Sequence, residues 1–111
     1  MVRSGESGSE SPLPLLTQIL TPERAAALHE LAAKHGVHDI RVFGSYARGE
    51  ATPASDLDLL VDIEYGQGVS TRFIDFVLAV QDLFPVKVDV VTERSLDPAL
   101  HAEILRQARP L

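Results

Sequence analysis

Three aspartates, one Gly-Ser pair and one arginine make up the chemistry that this sequence can perform. Asp56 and Asp58 stand two apart in the stretch from Gly44 to Asp62, GSYARGEATPASDLDLLVD. In an extended chain, residues i and i+2 project to one face, so the two carboxylates are side by side. Unit charges about 4 Å apart repel by roughly 4 kcal/mol at an effective dielectric near 20. A fold keeps such a pair when a cation lies between them, and a hard divalent ion such as Mg²⁺ suits the oxygen donors. Asp89 lies mid-run in VKVDVV, a setting in which a carboxylate is unusual unless paired or liganded. From a neighbouring strand it could complete the metal site and accept a nucleophile's proton.

Gly44-Ser45 falls between a predicted strand and a predicted helical turn. Backbone N–H groups at such a junction point towards anions, and glycine lets a phosphate approach the main chain closely. The Ser45 hydroxyl adds a hydrogen bond, and Arg48, one turn on, can fork onto phosphate oxygens. Together these groups suit a Mg²⁺-dependent nucleotide site, in which charge neutralisation and alignment do most of the work. Each piece also has a plain structural reading. Gly-Ser is a common turn, Asp-x-Asp is often a solvated face, Arg48 can pair with Glu50, and Lys87 can balance Asp89.

The elements that must position these groups read clearly. Thr21-Pro22 starts a helix, with Thr as cap and Pro at the first position, and Gly36 ends it. Ala25, Leu28, Leu31, Ala32 and His35 form its apolar face. Val37–Phe43 reads as a strand running into the Gly-Ser turn, and Tyr46 to Gly49 as a single helical turn. Leu57–Ile63 is the second strand, with Leu57, Leu59, Val61 and Ile63 facing the core and Asp56, Asp58, Leu60 and Asp62 facing the site. A helix capped by Ser70 or Thr71 follows, its stripe of Phe73, Phe76, Val77, Val80, Leu83 and Phe84 belonging to the core. Pro85 stops it. Val86–Val91 is a third strand, and a last helix near Pro98–Ala108 is expected to bury Leu100, Ile104 and Leu105. This order predicts an α+β, two-layer domain: a small mixed β-sheet with helices packed on one face.

The chain has 111 residues and a net charge of −6, with no cysteine. That length suits one domain, and the missing cysteines exclude disulfides and thiolate chemistry. Residues 1–14, rich in Ser, Gly, Glu and Pro, read as a flexible tail, leaving 15–111 as the folded domain. No clustered basic groove is present, so direct nucleic-acid binding is not expected, whereas an acidic surface suits a basic protein partner. No signal peptide or membrane span is evident, which makes a cytoplasmic location the expectation and a membrane role not expected. His29, His35, His38 and His101 lack metal-ligand spacing, and Ser45 has no evident triad partners.

Taken together, GSYARGEATPASDLDLLVD followed by VKVDVV resembles the minimal nucleotidyltransferase proteins (MNT type) of the DNA polymerase β nucleotidyltransferase superfamily. The resemblance runs from about Val37 to the C-terminus, and no position of the core motif departs from it. It implies that Gly44 and Ser45 bind a triphosphate, that Asp56 and Asp58 hold Mg²⁺, and that Asp89 completes the carboxylate triad. It further implies ATP as nucleotide donor and a HEPN-type ribonuclease toxin as partner. Similar proteins act as antitoxins by transferring AMP onto a tyrosine of that toxin. About twenty residues follow the third aspartate's strand, so the acceptor is expected to be presented by another molecule. Two alternatives stand beside this: an antitoxin that neutralises by binding alone, and a small-molecule nucleotidyltransferase working as a homodimer.

Overall fold

A computed structural model describes residues 16–111, so the tail expected at 1–14 and the first residue of the expected domain lie outside the described residues. A single helical turn, α1 (Leu16–Ile19), precedes α2 (Pro22–His35). The Thr21 side chain accepts from the Arg24 N–H, and Gly36 closes α2 in the left-handed conformation. Both ends of this helix therefore lie where the caps predict. Strand β1 (Val37–Phe43) leads through Gly44 into the short α3 (Ser45–Arg48). A loop then reaches β2 (Leu57–Ile63), α4 (Val69–Leu83), β3 (Val88–Thr92), a 3-10 turn (Glu93–Ser95), α5 (Pro98–Gln107) and β4 (Arg109–Pro110).

Among the described residues the strands form one sheet in the order β3-β2-β1-β4. β1 runs antiparallel to both β2 and β4, and β2 runs parallel to β3. The expected α+β architecture with a small mixed sheet is what forms. Val42 lies opposite Leu59, and Leu57 and Leu59 lie beside Val88 and Val90, so one face is continuously apolar. Leu28 and Ala32 of α2 and Phe76 and Val80 of α4 close over it. Burying each such side chain contributes about 1.5–3 kcal/mol before conformational entropy is counted. The His35 ring, tilted against Phe76 at 6.0 Å between centroids, joins the two helices.

Several local expectations are corrected. The N-cap of α4 is Gly68, with φ +77°, rather than Ser70 or Thr71, and it makes no side-chain cap hydrogen bond. β3 begins at Val88 rather than Val86, because Gln81 of α4 clamps the preceding turn. Its Nε2 donates to the Val86 carbonyl and its Oε1 accepts from the Val88 N–H, both at 3.0 Å. Leu60, expected on the open face, is 1% exposed because the Glu93–Ser95 turn packs against β2. Leu100 is 54% exposed, and α5 buries no residue fully, so its packing is shallower than its periodicity implied. β4 was not foreseen. No helix among the described residues is long and apolar enough to cross a membrane.

Candidate active site

Parallel pairing of β2 with β3 sets the centre of the site, because it places Asp58 directly beside Asp89. Side chains alternate across a strand, and Leu57 and Leu59 on either side of Asp58 are buried in the core. Asp58 and Asp89 therefore share the face away from the helices. Asp56 lies one residue before β2, whose bounds are those expected, and its charge acts on Asp58.

Burial first, then the charges of Asp89 and Asp56, push the Asp58 carboxyl up to about 6, while Arg48 works in the opposite direction. Three acidic groups from two adjacent strand segments thus act on one another. Their outward cation is Lys87, whose Nζ lies 4.0 Å from Asp56 Oδ2 and 3.9 Å from Asp89 Oδ1. No group of three or more His, Asp or Glu side chains among the described residues is close enough to hold a metal ion. The donor set nonetheless fits a hard cation. All three groups are carboxylates, the charges of Asp89 and Asp56 both act on Asp58, and an exposed ammonium already stands between two of them.

Gly44 packs against this centre from the end of β1. Its φ is +76°, and a Cβ there would lie 2.2 Å from Asp58 Oδ2, so only glycine fits. The turn that the sequence marked for phosphate and the carboxylate it marked for metal are therefore in van der Waals contact. Ser45 follows as the first residue of α3. Arg48, at the end of α3, donates from Nε to Glu50 Oε1 at 3.0 Å, the pairing that its spacing permitted. Tyr46 is buried at 5% exposure with its hydroxyl unpartnered among the described residues, and burial raises its pKa.

The structure thus brings Gly44, Asp56, Asp58 and Asp89 together, with Ser45 and Arg48 on the adjoining turn. Sequence reasoning missed Gln107. From α5 its Oε1 accepts from the Gly44 N–H at 3.0 Å and from Arg48 Nη1 at 3.1 Å. A glutamine in a polar helical turn carries no pattern that would have singled it out. A separate concavity lined by Lys34, Asp39, Arg41, Glu64, Arg72 and Leu111 contains none of the candidate residues. The candidate site is an open face.

A family model described as a nucleotidyltransferase domain matches residues 25–111. The chain is 40% identical over 78 residues to protein adenylyltransferase MntA of Thermococcus cleftensis, covering 70% of this chain and 78% of that protein. A solved structure assigned as a minimal nucleotidyltransferase superposes with a TM-score of 0.71 at 47% identity, covering 80% of this chain and 90% of the other. A crystal structure of a toxin–antitoxin with AMP-PNP shares the fold, with a TM-score of 0.63 at 22% identity over 82% of this chain and 72% of the other.

Proposed function

The chain belongs to the nucleotidyltransferase domain family, and from that premise we propose that it is a protein adenylyltransferase. It transfers AMP from ATP to a tyrosine of a partner HEPN-type ribonuclease toxin and so acts as the antitoxin. The observation that carries the reading is the register: Asp58 lies beside Asp89, with Gly44 against the Asp58 carboxylate. The name of the Thermococcus cleftensis relative supports the adenylyl chemistry, and the toxin–antitoxin structure with AMP-PNP supports ATP and a toxin partner. Residues 15–111 form the catalytic domain in this reading, and an ATP-dependent reaction belongs in the cytoplasm.

Asp56, Asp58 and Asp89 would hold Mg²⁺, which when bound would neutralise phosphate charge and align the attacking and leaving oxygens. For that, Asp56 and Asp89 must give up their contact with the exposed Lys87. Gly44 and Ser45 bind the triphosphate through the main chain and the Ser45 hydroxyl, and Arg48 neutralises it. The tyrosine oxygen attacks the α-phosphorus, the bond to pyrophosphate breaks, and Asp89 takes the phenolic proton. The open face suits an acceptor carried by another protein.

The test incubates the protein with ATP labelled at the α-phosphate and the HEPN-type product of the neighbouring gene. Label is expected on the partner's tyrosine and lost in Asp58→Ala. Transfer that persists undiminished in Asp56→Ala and Asp58→Ala would overturn the assignment. A toxin silenced by Asp58→Ala without labelling would show neutralisation by binding alone.

A further inference from the structure

Gln107 occupies the last turn of α5, 63 residues from Gly44 in sequence, and among the described residues it bridges two of the groups assigned to phosphate. Its Oε1 accepts from the Gly44 N–H and from Arg48 Nη1. Chemistry fixes the orientation of the carboxamide. Both facing groups are donors only, so the oxygen must face them. On the other side Nε2 faces Glu103 Oε2, an acceptor, at 3.4 Å.

An oxygen held between a main-chain N–H and a guanidinium is in the position a phosphate oxygen would take on the same donors. The Gly44 N–H carries one proton and cannot serve Gln107 and a phosphate at once. We propose that Gln107 is a built-in competitor of the nucleotide: its carboxamide oxygen holds the Gly44 and Arg48 donors in the free protein, and the triphosphate displaces it. The C-terminal end of α5 thereby becomes coupled to nucleotide binding. Only Ala108 separates Gln107 from β4, which pairs with β1 at Arg41 and Val42, two residues before Gly44. Release of one carboxamide is therefore a local change between segments that stay anchored. This inference rests on the reading of Gly44 and Arg48 as phosphate donors.

The experiment titrates the full chain, Gln107→Ala and Gln107→Glu with sodium tripolyphosphate and with MgATP by calorimetry, alongside kcat and KM for ATP. Gln107→Ala frees both donors, and relief from breaking one neutral bond to the Gly44 N–H and one charge-assisted bond from Arg48 is expected to tighten binding about 3- to 10-fold or more. KM should fall accordingly while kcat does not rise. Gln107→Glu places a carboxylate on the same donors in charge-assisted bonds and should weaken binding about 10-fold or more. Equal or weaker binding by Gln107→Ala overturns the competition and leaves the phosphate reading intact. Absence of binding by the unaltered chain overturns the phosphate reading itself, and the competition with it. In case Gln107→Ala folds poorly, the unaltered protein gives a second readout by NMR. Tripolyphosphate should shift the Gly44 amide and the Gln107 side-chain NH₂ resonances together, and a Gln107 signal that stays in place on binding overturns the proposal.

Discussion

Asp58 is held in a state that disfavours its own charge, through burial and two acidic neighbours. Its carboxyl titrates at about 6 against an ordinary 3.8, so the native chain binds more protons than the unfolded chain across that window. Stability from this group is therefore fully present below 3.8 and is lost as pH rises through about 6. The shift corresponds to about 1–2 kcal/mol once solvent screening of a partly exposed group is allowed for. Asp58→Asn should recover that amount at pH 7.5 and change little at pH 4, measured by urea unfolding in chelator. An equal effect at both pH values would contradict the assignment. A residue that lowers stability when charged, in contact with a glycine that tolerates no Cβ, is expected where charge is kept for binding rather than for folding.

At the scale of elements, legibility followed locality. α2 was readable because Thr21, Pro22 and Gly36 each act on their own helix end, β2 because alternating apolar residues define a face without reference to anything distant, and β1 because Ile40, Val42 and Phe43 favour an extended chain running into Gly44. The Asp58–Asp89 pairing was legible as a shared face, but the register that makes them neighbours is a property of two strands. β4 was invisible because two residues, one of them Pro110, form a strand only through their partners on β1. Leu100 follows the period of its helix yet faces out, since periodicity gives a direction and not the depth of packing. Gln81 belongs to the same class of long-range polar clamp as Gln107. It holds the turn from which Lys87 and Asp89 emerge, so Gln81→Leu, losing two hydrogen bonds, should cost about 1–3 kcal/mol. Amide exchange at Val88 should accelerate beyond what the global loss explains. Unchanged protection there would show that the ladder with β2 and the apolar contacts hold β3 without the Gln81 clamp.

For the whole molecule, the face carrying the carboxylates is the one the helices leave uncovered, so ligand binding adds to a core that is already complete. Ligand that binds only the native chain stabilises it by about 2.7 kcal/mol at 100 times Kd. In a domain of this size that raises Tm by about 10 °C. MgATP should produce such a rise in the unaltered protein, and ATP with chelator a smaller one, because Gly44, Ser45 and Arg48 remain as donors when the carboxylates have no cation to share. Absolute melting temperatures would mislead, since removing acidic groups alters repulsion in the free protein as well. The increment on adding MgATP is the informative quantity. In Asp56→Ala/Asp89→Ala it should shrink to that of ATP with chelator, as the two groups now turned to Lys87 are those that must turn to the cation. An increment equal to that of the unaltered chain would mean that Asp58 alone binds the ion, and the convergence of the two strand segments would have no part in holding it.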